Sequence, residues 1–333
     1  MFKGKTVLIT GGTGSLGTAI TKRLLKEDVN IIRIFSRNEE KQIQMESEIA
    51  DNRLRFFIGD VRDYHRLEMA LEDVDIVFHA AALKHVPKVE YNPFEAIKTN
   101  VIGSQNVIDA CVKKNVRKAI CIGTDKAVSP LNTYGATKLL MEKLFVTANN
   151  FLNKEKNPPK FIALRYGNVL GSSGSVVPKI VEQIKNHKKI TITDPQMTRF
   201  SITMDEALDF ILHATELGQG SEIFIPKLKA YSIIDLVDTL KEIFGDTDQQ
   251  IIGIRPGEKL HETLINREEM RHSWNYKNMY LIANPLYPLF YEIEIKSTYL
   301  GIKKIENLQE YSSDKVGKID RDELKKSIKA LKL

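Results

Sequence analysis

The stretch KTVLITGGTGSLG, residues 5–17, decides how the rest of the chain is read. A short apolar run (5–10) ends in a glycine cluster with Gly11, Gly14 and Gly17, and the cluster opens onto a helical pattern. Glycine permits a tight turn, lets backbone approach a pyrophosphate and lets a helix pack closely on a sheet. A helix start in that place offers free N–H groups and the positive end of its dipole to an anion. Alone, such a triplet can be a bare tight turn. The runs that follow it choose between the two readings.

Five more apolar runs come next: IIRIF (31–35), LRFFIGD (54–60), DIVFHAA (75–81), KAICIGT (118–124) and FIALRYGNV (161–169). Stretches of helical spacing separate them, among them YHRLEMALE (64–72) and PFEAIKTNVIGSQNVIDACVKK (93–114). Apolar strands alternating with amphipathic helices mean a parallel sheet covered on both faces. The expectation is an α/β protein: a doubly wound, six-stranded parallel sheet of the Rossmann type with a smaller C-terminal α/β substrate lobe. Residues 1–170 should form the dinucleotide domain, with returning segments from about 199–228; residues 171–333 should be mainly substrate lobe and tail. In that second part GSSGSVVPKIVEQIKNHKK is a Gly/Ser loop leading into a helix, with Pro178 near its first turn. RFSIT (199–203), EIFIPK (222–227) and IIGIR (251–255) read as short strands, and YSIIDLVDTLKEIF (231–244) as a helix. Beyond about 270 only DRDELKKSIKALKL (320–333) has a helical pattern.

Composition sets limits around this core. The chain has 333 residues, 42% hydrophobic and 28% charged, as expected of an ordinary soluble protein. No apolar run approaches the roughly 18–20 residues of a membrane span, and the start runs straight into a strand pattern rather than a signal peptide. Cys111 and Cys121 lie in apolar segments without metal-type spacing, so no metal site is indicated and a reducing, cytoplasmic setting fits. The net charge of +6 raises nucleic acid as a partner. The Lys and Arg are mixed with Asp and Glu, with no basic stripe or aromatic platform, so nucleic acid is not expected.

The end of the second run selects the nucleotide. An NAD enzyme usually carries Asp or Glu there for the ribose 2′-hydroxyl. Here Phe35 and Ser36 stand at that place, with Arg37 and Lys41 just beyond. A guanidinium and an ammonium suit a 2′-phosphate, which favours NADP over NAD. Glu39 and Glu40 keep open the alternative that both cations are merely solvated. Gly11, Thr13, Gly14, Ser15, Leu16 and Gly17 make the expected cofactor loop.

GTDKAVSPLNTYGATK (123–138) concentrates groups that move protons. Tyr134 and Lys138 are i and i+4, neighbours on one helix face. A free tyrosine is a poor base near neutrality, and a nearby ammonium should lower its pKa. Thr124, at the end of the fifth run, can share a substrate proton with Tyr134.

The segments TGGTGSLG, GDV (59–61), HAAA (79–82), TNVIG (99–103) and YGATK (134–138) resemble the extended short-chain dehydrogenase/reductase superfamily. HAAALKHVP (79–87), GTDKA (123–127), RYGNVLGSSGSVVP (165–178), DPQMTRF (194–200) and GIRPGEKLHE (253–262) resemble, more closely, the UDP-N-acetylglucosamine 4,6-dehydratases that invert carbon 5. The similarity covers about residues 3–265. It implies an NADP-dependent hydro-lyase acting on UDP-N-acetylglucosamine at the start of routes to pseudaminic acid and related deoxyamino sugars. It also implies a homo-oligomer, dimer or higher. In the implied cycle Tyr134 takes the carbon 4 hydroxyl proton while NADP+ takes the hydride. The ketone acidifies carbon 5, water leaves across carbons 5 and 6, and the hydride returns to carbon 6.

Retaining dehydratases show Thr-Asp-Glu where this chain has Thr124-Asp125-Lys126. The resemblance makes Asp125 the acid for the leaving hydroxyl and Lys126 the handler of the carbon 5 proton. As a base Lys126 must be neutral, which requires desolvation or a nearby cation. By the same resemblance Asp60 and Val61 face adenine, and Ala80, Thr99 and Asn100 lie by the nicotinamide half. Lys84, Asn168, Val169, Gly171, Ser172, Ser173, Gly174, Ser175 and Val176 line the sugar and phosphate side. Arg199 and Arg255 are the candidates for the diphosphate and uridine side, and Glu258 for a ribose hydroxyl. His85 has no metal-ligand partner at suitable spacing and reads as packing. The rival readings are a UDP-sugar 4-epimerase, which needs no pair at 125–126, and a non-enzymatic NADP-sensing protein.

Overall fold

The computed structural model describes residues 1–153, 157–172, 174–283 and 295–331; Ser173 lies outside the described residues. Six parallel strands stand where the apolar runs place them: β1 (Thr6–Thr10), β2 (Ile31–Ser36), β3 (Leu54–Ile58), β4 (Ile76–His79), β5 (Lys118–Ile122) and β6 (Lys160–Leu164). Every residue of β1, β4 and β5 is buried, which is why these runs carry no polar alternation. The strand order β6-β5-β4-β1-β2-β3 reverses direction between β1 and β4. That switch point opens a crevice at the carboxyl ends of the two strands.

The sheet is larger than the six runs foretell. The small lobe's short strands are β7 (Ile190–Ile192), β8 (Thr198–Phe200), β10 (Ala230–Ser232), β11 (Gln249–Ile251) and β12 (Thr263–Ile265). Between them β9 (Ile223–Pro226) joins the main sheet parallel to β6. The tail adds β14 (Met279–Ile282), β13 (Ser273–Tyr276) and β15 (Lys303–Lys304) as antiparallel strands beyond β9. The reading of 251–255 as a strand needs correction. β11 ends at Ile251, because Gly253 adopts φ +83° and Pro256 follows.

Helices α1 (Ser15–Leu24) and α2 (Glu39–Ile49) follow β1 and β2, and α3 (Tyr64–Ala70) follows β3. After β4 come two short helices, α4 (Val86–Tyr91) and α5 (Pro93–Ala96). A π-helical stretch, Ile97–Ile102, then runs into α6 (Gly103–Lys113). α7 (Thr133–Ala148) begins at Asn132, whose side chain accepts from the Gly135 N–H and fixes the helix start. One apolar cluster joins the sheet to α1 and to α9 (Met204–Leu217) on one face; a second joins it to α3, α6 and α7 on the other. A separate core unites α8 (Val176–Lys185), α10 (Ile233–Phe244) and the C-terminal helix Arg321–Ala330. No described helix is long and apolar enough to cross a membrane.

Candidate active site

A cavity of about 710 Å³ runs from the glycine loop, past the ends of β1, β4 and β5, to the start of α8. Gly11 sits at φ +66°, and a Cβ there would lie 2.9 Å from Ala81 Cα. At Gly17 a Cβ would lie 2.6 Å from the Gly11 carbonyl, so only glycine lets α1 approach the loop. Thr13, Gly14, Ser15 and Leu16 complete that wall, and Ser36, Arg37 and Lys41 line the far end with Asp60 and Val61. No carboxylate ends β2. Ser36 Oγ accepts instead from Gln42 Nε2 at 2.9 Å, and Arg37, about half exposed, lies 3.7 Å from Asp60. Ala80 and Thr99 line the middle, and the buried Thr99 hydroxyl has no hydrogen-bond partner among the described residues. This cradle, with its orphaned hydroxyl, fits a dinucleotide. Asn100 does not reach the cavity. Its amide clamps Leu83 N–H (2.8 Å) and Leu83 O (3.0 Å) and donates to Thr137 Oγ1 (3.0 Å), holding the 80–84 loop on α7.

β5 delivers the proton-handling groups through Gly123. There a Cβ would stand 2.2 Å from the Leu164 carbonyl, so no larger residue fits between β5 and β6. Thr124 then caps a single 3₁₀ turn, Asp125–Ala127. The Thr124 hydroxyl donates to Asp125 Oδ1 at 2.8 Å. Lys126 Nζ donates to the same oxygen at 3.0 Å and to Asn168 Oδ1 at 3.0 Å, and lies 3.5 Å from Glu262 Oε1. Asp125 is 1% exposed, and its Oδ2 has no partner among the described residues.

One sequence expectation about charge, a lowered Tyr134 pKa, is corrected here, and the charge of Lys126, which the sequence leaves open, gains a physical setting. Burial opposes the Lys126 ammonium, but Asp125 and Glu262 outweigh both burial and the Arg199 guanidinium and raise its pKa above the ordinary lysine value. Lys126 therefore rests as a cation, not as a neutral amine. Burial also pushes the Tyr134 phenol up to about 12, and the cation that pulls against this is Lys126. Lys138 is buried and turned to the Ile122 carbonyl (2.7 Å) and Met141 Sδ (3.0 Å), and burial lowers its pKa. Tyr134, Lys138, Thr124 and Lys126 nonetheless line one cavity.

The substrate candidates divide. Lys84, Asn168, Val169, Ser172, Gly174 and Ser175 line the cavity, and the buried Ser175 hydroxyl is unpartnered among the described residues. Gly171 and Val176 do not line it; Gly171, at φ +71°, turns the chain against Leu331. Arg199 is turned away. Its guanidinium donates to the carbonyls of Thr198 (2.7 Å), Leu260 (3.0 Å) and Lys259 (3.1 Å) and lies 3.7 Å from Glu262. Arg255 and Glu258 pair with each other at 3.5 Å outside the cavity lining. Their loop is nonetheless sewn to the start of α7: Asn132 Nδ2 donates to the Gly257 carbonyl at 2.8 Å, and Lys259 Nζ to the Val128 carbonyl. Sequence reasoning missed Glu262 as a functional group, although it closes the quoted GIRPGEKLHE segment. It also missed the buried Arg165, whose guanidinium binds Glu142 on α7 (both contacts 2.6 Å) and Glu269 in α11 (Arg267–Met270; 2.7 and 2.9 Å).

A doubly wound sheet with a glycine cradle at its switch point, and Thr, Tyr and Lys at the ends of β5 and the start of α7, is the architecture of the extended short-chain dehydrogenase/reductases. Within that class the chain belongs to the polysaccharide biosynthesis protein family, whose model matches residues 7–284. It is 47% identical over 320 residues, 94% of each chain, to a Campylobacter jejuni (strain 81-176) protein named UDP-N-acetylglucosamine 4,6-dehydratase (inverting). It is 43% identical to a Rickettsia bellii (strain OSU 85-389) protein named UDP-glucose 4-epimerase, over 98% of this chain and 95% of that one. Among solved structures it is similar to Pen from Bacillus thuringiensis, with a TM-score of 0.89, 38% identity, and coverage of 99% of this chain and 98% of that one.

Proposed function

We propose that this chain is a UDP-N-acetylglucosamine 4,6-dehydratase that inverts carbon 5. The observation that carries the reading is the Asp125–Lys126 pair at the mouth of β5, in a chain 47% identical to a protein of that name. Residues 1–170 with the returning segments near 199–228 hold the dinucleotide, and the rest mainly holds the sugar nucleotide. When bound, the nicotinamide supplies a reversible hydride acceptor. Arg37 and Lys41, with no carboxylate at the end of β2, favour NADP over NAD.

The chain's own groups handle the protons. Tyr134 and Thr124 face the carbon 4 hydroxyl, and the Lys126 charge favours the phenolate. Transfer of one proton along the 3.0 Å contact from Lys126 Nζ to Asp125 Oδ1 yields a neutral amine and a carboxylic acid together. The amine then serves as base at carbon 5, and the acid protonates the leaving carbon 6 hydroxyl. Afterwards carbon 5 is reprotonated on the face opposite the one that lost its proton, as inversion requires.

A second reading, UDP-sugar 4-epimerase, draws on the Rickettsia relative. An epimerase leaves the mass of its sugar nucleotide unchanged and has no use for an Asp/Lys pair. Incubation with UDP-N-acetylglucosamine and NADP+ in deuterated water, followed by mass spectrometry and NMR, separates the two. Loss of one water with deuterium at carbon 5 and the L-arabino configuration is expected; an unchanged carbon skeleton with inverted carbon 4 would establish the epimerase.

A further inference from the structure

Glu262 is the carboxylate of this site that the proposed chemistry leaves unused. It stands just before β12 and is 4% exposed. Oε1 lies 3.5 Å from Lys126 Nζ and 3.7 Å from Arg199 Nε, while Oε2 is buried without a hydrogen-bond partner among the described residues. A carboxylate so placed is sustained by the two cations and by little else. Its backbone is fixed. Glu262 N–H donates to Ser313 Oγ (2.9 Å), Ser313 N–H donates to the Glu262 carbonyl (2.8 Å), and Ser313 Oγ meets Thr198 Oγ1 at 2.7 Å. Three separate segments, 198–199, 261–263 and 312–313, thus converge to hold one carboxylate against the Lys126 ammonium.

We propose that Glu262 is a positioning residue that aims Lys126 and sets its charge, so that proton transfer at carbon 5 is governed by Asp125, Lys126 and Glu262 together. The inference rests on the dehydratase reading for its catalytic meaning, though not for its test. Glu262 lies 3.5 Å from the ammonium that Asp125 and Asn168 bind at 3.0 Å each. Glu262 favours the cation and so resists the internal transfer to Asp125; it also favours capture of the carbon 5 proton by the neutral amine. Arg199 moderates it, since its guanidinium is held on the carbonyls of 198, 259 and 260 and cannot swing away without losing three hydrogen bonds. The charged and titratable groups around Lys126 are Asp125, Glu262, Arg199 and Tyr134, with Lys259 and Tyr231 behind them.

The test reads the lysine directly. Full-length parent, Glu262→Gln and Glu262→Asp are labelled with trace acetic anhydride at stepped pH, and acetylation of Lys126 is measured by mass spectrometry against exposed lysines. Removing an opposite charge at this distance lowers a lysine pKa by about 1–3 units. Glu262→Gln should therefore become labelled at a pH lower by at least one unit, and Glu262→Asp should restore the parent curve. Arg199→Gln should move the curve the other way, which guards against a Glu262→Gln chain that folds poorly. Unshifted curves in Glu262→Gln and Arg199→Gln would overturn the proposal. In a second arm, the alkaline-rising limb of carbon 5 deuterium exchange should follow the same shift. If labelling shifts and no dehydrated product forms in the parent, the dehydratase reading fails and the assignment of Glu262 to the Lys126 charge stands.

Discussion

Replacing Arg165 by Met tests how α7 is held. Arg165 is fully buried, and its guanidinium makes five hydrogen bonds of 2.6–3.1 Å: two to Glu142, two to Glu269 and one to the Leu264 carbonyl. Met fills much of the same space and removes every donor. Glu142, 0% exposed, and Glu269, 17% exposed, then face each other without a cation. Breaking a buried ion pair from one side costs about 3–5 kcal/mol, because the stranded charge stays buried. Burial raises the Glu269 pKa and Arg165 more than offsets it, so in the parent this carboxyl titrates below its usual range. The parent therefore draws stability from Glu269 above the unfolded-state pKa and loses it as pH falls through the lower folded value. In Arg165→Met the sign inverts for Glu269: without the guanidinium burial alone acts on it, it gains a proton on folding, and the deficit is greatest at neutral pH and shrinks toward pH 5. Urea unfolding, followed through the buried Trp274, gives the midpoint and slope. A loss under about 1 kcal/mol at pH 7, or a deficit that grows as pH falls, would refute the reasoning. Arg165→Met combined with Glu142→Leu and Glu269→Leu should recover most of the loss.

Lys126→Ala should still oxidise carbon 4, more slowly because the cation that favours the Tyr134 phenolate is gone, seen as absorbance of reduced nicotinamide, while dehydrated product falls by at least about 10²-fold; Tyr134→Phe should lose both signals, and a Lys126→Ala chain that dehydrates at the parent rate would remove Lys126 from the chemistry. Arg37→Ala should weaken NADP binding by about tenfold or more and leave NAD binding nearly unchanged, as calorimetry would show; equal losses would end the case for a 2′-phosphate contact. Gly123→Ala forces a Cβ to within 2.2 Å of the Leu164 carbonyl and should cost about 1–3 kcal/mol while displacing Thr124, so both the urea midpoint and the oxidation rate should fall.

The sheet's six parallel strands are legible because burial on both faces leaves uninterrupted apolar runs, and the cradle is legible because only glycine tolerates its contacts. The antiparallel extension is not. β13 and β14 are four residues each, and their hairpin turns on Lys277-Asn278, with Lys277 at φ +51°, instead of the Asn-Gly that usually marks such a turn. The proton-moving residues are legible as types at positions, but their charges are not. The state of Lys126 depends on Glu262, and the aim of Arg199 depends on carbonyls near 260, both far away in sequence. Arg165 shows the same limit: three charges, one just past β6 and the others from α7 and α11, meet without any local periodicity to announce them.

The stitches between 126–132 and 257–262 have a consequence for the birth of the protein. A ribosome that has released the first 170 residues has already delivered the glycine cradle and all six strands of the crevice. The proton-moving turn is then still missing a wall, because Gly257, Lys259 and Glu262 are yet to emerge. Any copy that stops short of residue 262 lacks the carboxylate that faces Lys126, and one that stops short of 257 also lacks the contacts that tie this segment to Val128 and Asn132.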